Sequence, residues 1–133
     1  MDRFESFAKD HVEKWVKAWN NHDIETVLTM YSDEIEFSSP KIRIVFPERK
    51  SSTVTNKKEL EEYWMRALKN FPKLRFIPKQ TIIQGNLCIL EYYAILDETH
   101  KTSVIEKFEF QEDGLVKKSS GFYGAEELSL IHI

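Results

Sequence analysis

The chain has 133 residues, 41% hydrophobic and 13% aromatic, so it can bury a core and is not a disordered segment. Its net charge of −3, without a long basic run, argues against a general nucleic-acid binder. No apolar run reaches the roughly 20 residues of a membrane span, and the first residues lack the layout of a signal peptide. We therefore expect a single domain over residues 1–133 that is soluble and cytoplasmic.

Three helices are predicted in the first half of the chain. Apolar residues recur at helical spacing over residues 2–20, and Asp23 is a suitable N-cap for a second helix over residues 24–30. The Asn-Lys-Lys-Glu sequence that begins at Asn56 resembles a capping box, which predicts a third helix over residues 57–69.

Strands follow these helices. One short strand is predicted over residues 35–39, and the segment 41–55 is either an additional strand or a polar loop of the kind that often covers a binding site. Four further strands, separated by turn signals, are predicted over residues 73–83, 86–96, 102–110 and 115–123. Helices followed by a run of antiparallel strands indicate an α+β fold.

Glu106 is the strongest sign of a functional site. Strict alternation over residues 102–110 places it on one strand face with Val104, Phe108 and Phe110. A carboxylate among core residues is costly unless it is paired, hydrogen-bonded or protonated.

A second glutamate is predicted to face Glu106. If residues 97–100 form a four-residue turn, Glu91 lies directly across the strand pair, with Cβ atoms about 4.5–5.5 Å apart. One carboxyl of such a pair should have a raised pKa, which suits acid–base catalysis or ligand binding. In the alternative, purely structural interpretation, a buried Arg, a Tyr hydroxyl or a Trp N–H satisfies both acids.

The other face of the 86–96 strand is apolar. Its side chains are Leu90, Tyr92, Ala94 and Leu96, which this register places on the outside of the sheet. A sheet that is apolar on both faces must be covered twice, so these four residues are predicted to form a homodimer interface.

Four stretches resemble the nuclear-transport-factor-2-like superfamily: residues 15–35, Ser39-Pro40, Tyr63-Trp64 and residues 106–114. The resemblance is to its SnoaL-like and ketosteroid-isomerase-like domains, and indicates a bacterial member. It implies a cone-shaped curved antiparallel sheet wrapped around three N-terminal helices, with a deep apolar pocket. Relatives include isomerases, cyclases, dehydratases and non-catalytic binding modules.

The resemblance also places the chemical positions of the steroid isomerases on this chain. Ser39 falls where their catalytic aspartate stands, so steroid isomerisation by that route is not expected. Trp15 falls at the oxyanion-hole tyrosine, Trp64 at a second tyrosine, and Glu106 at the protonated aspartate. It further implies that the concave face carries Glu91, Tyr93, Ser119 and Tyr123.

These observations lead to one leading hypothesis and two alternatives. The leading hypothesis is a SnoaL-like protein that binds a small, mainly apolar organic ligand, without metal or cofactor, nucleic acid or membrane. The predicted ligand-binding residues, whose aromatic members are otherwise simply core, are Trp15, Trp19, Phe37, Ser39, Tyr63, Trp64, Tyr93 and Tyr123. The alternatives are a cofactor-independent isomerase, cyclase or dehydratase that uses Glu106 and Glu91, and a dimeric interaction module.

Two further residues receive structural interpretations. His11 lies beside the apolar stripe of the first helix, where it is either a boundary residue or a partner of an inward acid. Cys88 is expected to be a small buried side chain, because it is the only cysteine and lies in an apolar strand.

Overall fold

The computed structural model describes the backbone of residues 3–127 and the side chains of residues 3–124. Its helices are α1 (Arg3–Asn20), α2 (Ile24–Leu28), α3 (Ile42–Val45) and α4 (Lys57–Asn70). Its strands are β1 (Tyr31–Ser38), β2 (Thr53–Val54), β3 (Arg75–Gln84), β4 (Leu87–Ile95), β5 (Lys101–Phe110) and β6 (Val116–Glu127).

The six strands form one curved sheet in the order β2-β1-β6-β5-β4-β3. Neighbouring strands are antiparallel except β1 and β6, which are parallel. Irregular register between residues 78 and 80, and again between 102 and 104, marks bulges of the type that bend strands. The predicted α+β fold is confirmed, and the expectation of a wholly antiparallel sheet is corrected by this parallel pair.

The helices cover the inner face of the sheet. The apolar stripe of α1 is buried, and α1 is fixed to β3 by Asn20, whose side chain donates to the Phe76 carbonyl (3.0 Å) and accepts from its N–H (2.6 Å). Both predicted caps are present: the Asp23 carboxylate accepts from Thr26 N, and the Asn56 side chain accepts from the N–H three residues later.

The largest boundary differences lie between α2 and α4. The chain enters β1 at Tyr31, four residues before the predicted start, because Tyr31 and Ile35 are both fully buried against the core. The segment 41–55 holds the short α3 and β2 rather than a long strand or an irregular loop. Arg49 fixes it to α4 by donating to Glu59 at 2.8 Å.

The connection between β4 and β5 differs from the predicted four-residue turn. Ile95 pairs with Lys101, so the connection has five residues, 96–100. Leu96 N–H donates to the His100 carbonyl, and the Asp97 carboxylate accepts from two backbone N–H groups inside the loop. The extra residue moves the register by one position, which exchanges the two faces of the partner strand.

This register makes two predictions wrong. Glu106 lies opposite Leu90, and Glu91 lies opposite Ile105, so the two glutamates do not face each other. The stripe predicted to form the dimer interface instead faces the interior: Leu90, Tyr92 and Ala94 are no more than 5% exposed, and Leu96 lines the interior pocket described below.

His11 is buried in a cluster of aromatic rings. Its imidazole packs edge to face on Phe108 and Phe110, with centroids 4.9 and 4.8 Å away, and it is also near Phe7. Burial, with a smaller contribution from the Lys14 charge, lowers the pKa of His11 to about 4. His11 is therefore a buried residue packed among aromatic rings. It is neither a boundary residue nor the partner of an inward acid, the two alternatives predicted from the sequence.

We expect His11 to make stability depend on pH. The unfolded histidine takes up a proton below about pH 6.5, whereas the folded one resists protonation until about pH 4. Between pH 7 and pH 5 the wild type should therefore lose on the order of 2 kcal/mol that a His11→Phe variant does not lose. Urea unfolding of both proteins at the two pH values measures the difference, and equal losses would contradict the assignment.

Candidate functional site

Glu106 lies at the centre of β5 with its carboxyl group directed into the interior, and is 3% exposed. Tyr92, on β4, donates its hydroxyl to Glu106 Oε1 at 3.2 Å. Ser119, on β6, donates its hydroxyl to Oε2 at 3.1 Å. Side chains from both neighbouring strands thus hold the carboxyl, as the alternation of the strands requires.

Burial raises the pKa of Glu106 to about 8, and the Ser119 and Tyr92 hydrogen bonds oppose this rise without cancelling it. Within residues 3–124 the carboxyl has no salt-bridge partner. Glu106 is therefore mainly protonated at neutral pH. Because its two neighbours donate to it, its own proton is available for an acceptor oxygen in the pocket.

Gly121 leaves the space beside the carboxyl open. It pairs with Glu106 across β5 and β6. A Cβ on residue 121 would lie 3.6 Å from Glu106 Oε1, 3.5 Å from the Tyr123 ring and 3.8 Å from Ser39 Oγ. Glycine thus keeps side-chain atoms away from the point where these three groups converge.

A pocket of about 260 Å³ extends from Glu106 between the helices and the inner face of the sheet. Its lining residues are mostly aromatic or aliphatic: Trp15, Trp19, Phe37, Lys41, Ile44, Val45, Tyr63, Trp64, Ala67, Asn70, Phe71, Leu74, Phe76, Tyr92, Ala94, Leu96, Thr102, Glu106 and Tyr123. The size and the apolar wall suit a compact organic molecule. A depression of about 410 Å³ between the start of α1 and the β3–β4 turn is lined by Phe4, Glu5, Ile83 and Gly85, and lacks such a buried polar group.

Aromatic rings pack closely to form one wall of the pocket. Trp15 stacks on Phe76 with centroids 5.3 Å apart, and its indole N–H donates to the Tyr31 hydroxyl at 2.9 Å. Trp19 meets Trp64 edge to face at 5.1 Å, and its buried indole nitrogen has no hydrogen-bond partner among the described residues. Interlocked rings of this kind give the wall a fixed shape.

Hydroxyl groups form a second polar region of the pocket. The hydroxyl groups of Ser39, Tyr63 and Tyr123 lie close to one another. Burial raises the pKa of Tyr63 to about 12 and that of Tyr123 well above its ordinary value, so both phenols stay protonated. The Lys41 ammonium lies over the Tyr123 ring, 5.2 Å from its centroid.

The structure brings most of the predicted pocket residues together. Six of them line the cavity: Trp15, Trp19, Phe37, Tyr63, Trp64 and Tyr123. Ser39 is 2% exposed and lies beside two of these residues, Tyr63 and Tyr123. Ser119 lies inside, as predicted.

Glu91 and Tyr93 lie on the outer face instead. Glu91 accepts from Gln80 at 2.9 Å and from Lys79 at 3.5 Å. The Tyr93 ring lies between the Lys79 and Lys101 ammonium groups, 4.3 and 4.0 Å from its centroid. The prediction that both residues belong to the concave face was wrong, for the reason of register given above.

Several residues that line the pocket were not predicted, and two of them, Tyr92 and Lys41, supply polar groups. Tyr92 supplies the hydroxyl that bonds Glu106, and the apolar alternation of Cys88, Leu90, Tyr92 and Ala94 is the signal that could have placed it inside. Lys41 begins the segment 41–55, which was predicted to be an additional strand or a polar loop, and the sequence holds no direct signal that α3 turns it to the pocket.

The fold and the pocket define a class of small α+β proteins in which a curved sheet and its helices enclose a ligand-sized cavity. The sequence profile described as SnoaL-like domain matches residues 12–118. The chain belongs to this SnoaL-like domain family. No curated protein matches the sequence.

Solved structures agree with this assignment. A SnoaL-like protein of unknown function from Burkholderia thailandensis E264 is 27% identical, with a TM-score of 0.81 over 94% of this chain and 99% of that one. A putative ketosteroid isomerase from Kribbella flavida is 12% identical, with a TM-score of 0.71 over 90% and 79%. AclR, a putative hydroxylase from Streptomyces galilaeus, is 16% identical, with a TM-score of 0.69 over 88% and 78%. The last two similarities concern the fold alone.

Membrane-spanning helices and clusters of metal ligands are both absent from the part of the chain that the structure describes. Within residues 3–127 no helix is both long and apolar enough to cross a membrane. Over the same part of the chain, no group of three or more His, Cys, Asp or Glu side chains is arranged to hold a metal ion.

Replacing Glu106 should change the pH dependence of stability in the direction opposite to that expected for replacing His11. Because the pKa of Glu106 is raised in the fold, its protonated form favours folding at low pH, and this contribution is lost as pH rises from about 4.5 through about 8. From pH 5 to pH 7 the free energy of unfolding of a Glu106→Gln variant should rise by on the order of 2–3 kcal/mol relative to the wild type. Urea unfolding at both pH values measures it, and parallel curves would show that the carboxyl is not buried as a neutral acid.

Proposed function

We propose that this protein binds a compact, mainly apolar organic molecule in the 260 Å³ pocket and holds an oxygen atom of that molecule with the Glu106 carboxyl. The observation that carries the proposal is a buried acid whose proton is left free by two donating neighbours, Tyr92 and Ser119. A carbonyl oxygen of the ligand could accept this proton in a hydrogen bond, and an apolar ring of the ligand could pack against the aromatic wall.

An acid–base enzyme is the second candidate. A carboxyl with a pKa near 8 is suited to general-acid catalysis at neutral pH, and Glu106 would protonate or polarise the ligand oxygen. Isomerisation also needs a base, and the residue that follows β1 is Ser39, a hydroxyl group and not a carboxylate, beside Tyr63 and Tyr123. Glu91 cannot supply that base because it lies on the outer face. These features favour binding over steroid-type isomerisation.

The pH dependence of binding tests the role of the Glu106 proton. We expect 1-tetralone to bind the wild type more tightly than tetralin at pH 6.5, by about 5- to 10-fold, the range of one net hydrogen bond. This preference should disappear as pH rises through about 8, because the ionised carboxylate no longer donates. Titration calorimetry between pH 6.5 and pH 9 gives both affinities.

Two comparisons complete this experiment. A Glu106→Gln variant keeps a donor amide that does not titrate, so its preference for 1-tetralone should persist at pH 9. Tetralin has no acceptor, so its binding should not change with pH. A wild-type preference that is the same at pH 6.5 and pH 9, or no binding of either compound, would refute the proposal.

We also propose that the outer face of the sheet packs against a second copy of the chain, with contact residues that replace the predicted ones. Four large apolar side chains on β3, β5 and β6 are 39% to 55% exposed there: Ile77, Ile82, Ile105 and Phe122. Burying such a patch is the ordinary driving force of homodimer formation.

A double variant tests the dimer. Ile105→Ser with Phe122→Ser should shift the protein from dimer to monomer in sedimentation equilibrium, since it removes the two apolar side chains of the central strands. Ile44→Ser is the matched control, because Ile44 is 65% exposed but lies on α3, away from this face. A wild type that is monomeric at about 100 μM would overturn the proposal.

A further inference from the structure

Lys41 is the cationic residue of the pocket. Among the 19 residues that line the cavity, the acidic and basic side chains other than tyrosine phenols are Glu106 and Lys41. Glu106 is held in an environment that disfavours its negative charge, since it is buried without a cationic partner. At neutral pH the net charge of the pocket wall is therefore set by the Lys41 ammonium, and it is positive.

The Lys41 ammonium has no carboxylate partner. Within residues 3–124 no acidic oxygen lies within 4.0 Å of its Nζ atom, and its contact is the ring of Tyr123. Arg49, a basic residue of the same segment, is paired with Glu59 at 2.8 Å. Lys41 is half-buried, and its side chain faces a largely apolar cavity.

The backbone of Lys41 is held in place as well. Its N–H donates to Ser39 Oγ at 3.2 Å, and this serine lies beside the two tyrosines of the pocket, Tyr63 and Tyr123. The ammonium is thus attached to the same hydroxyl cluster that lines the pocket, rather than to a separate surface loop.

Lys41 and Glu106 are both neighbours of Tyr123. A single Cβ position on Gly121 would lie 3.5 Å from Tyr123 Cε1 and 3.6 Å from Glu106 Oε1. The Lys41 ammonium lies over the same ring, 5.2 Å from its centroid. Because both polar groups line the same 260 Å³ pocket, one compact ligand could contact both.

We propose that the ligand is an organic anion, an aromatic carboxylate whose charged group pairs with Lys41 and whose neutral oxygen lies at Glu106. This inference rests on the proposed function and narrows it to a chemical class. A carboxylate near an ammonium in a largely apolar cavity is favoured more than on an open surface, because the lower dielectric strengthens the attraction. The aromatic ring between the two oxygen-bearing ends packs on the aromatic wall.

A pair of probes of nearly equal shape tests the inference. 4-Acetylbenzoate and 1,4-diacetylbenzene differ in that a carboxylate replaces one acetyl group. We expect the wild type at pH 7 and low salt to bind the anion about 10-fold more tightly, and 0.5 M NaCl to remove most of that preference. Titration calorimetry with both probes at both salt concentrations provides the values.

Variants assign the preference to Lys41. Lys41→Met keeps a stem of similar length without the charge, so it should bind both probes equally. Lys41→Arg should retain the preference. Lys69→Met, which removes a charge from the last turn of α4 and not from the pocket wall, is the control for overall charge.

The outcomes separate this inference from the proposed function. Binding of 1,4-diacetylbenzene without a preference for the anion would overturn the inference and leave the apolar pocket standing. A preference that persists in Lys41→Met would overturn it too. No binding of either probe by the wild type would overturn the proposed function and the inference together.

Discussion

The constraint on which the site depends is the burial of one carboxyl group in the middle of a sheet. Glu106 is accommodated because Tyr92 and Ser119 donate to its two oxygens and because it can remain protonated. Each of these requirements fixes a neighbouring strand: β4 must present a hydroxyl from one side and β6 from the other. The register of the three strands and the chemistry of the pocket are thus consequences of the same buried group.

His11 and Glu106 have opposite effects on how the stability of the fold depends on pH. His11 prefers to stay neutral as a base and Glu106 prefers to stay neutral as an acid, and both preferences come from burial. Their contributions to stability run in opposite directions between about pH 4.5 and pH 6.5. If the free energy of unfolding of the wild type changes little in this range, the contributions of His11 and Glu106 cancel. The single variants measure each contribution separately.

The sequence predicts the fold better than it predicts the site. The helices α1, α2 and α4, both N-caps and the inward face of β5 follow from periodicity and from residue type, which are local signals. The partner of Glu106 does not, because it depends on whether the loop before Lys101 has four residues or five. Hydrogen bonds made by Asp97 inside the loop stabilise the five-residue form. This shifts the strand register by one residue, so that Tyr92 and not Glu91 is directed to the same side as Glu106. Lys41 was missed because its position depends on the short α3.

The glycine beside the carboxyl bears on how a site of this kind can change over evolutionary time. A methyl group at residue 121 would meet Glu106, Tyr123 and Ser39 at ordinary van der Waals distances, so the backbone could accept it without strain. Substitution there would alter access to the acid while leaving the strands and the aromatic wall intact. Residue 121 is therefore a position where the space beside the acid can change without a change in the packing of the strands.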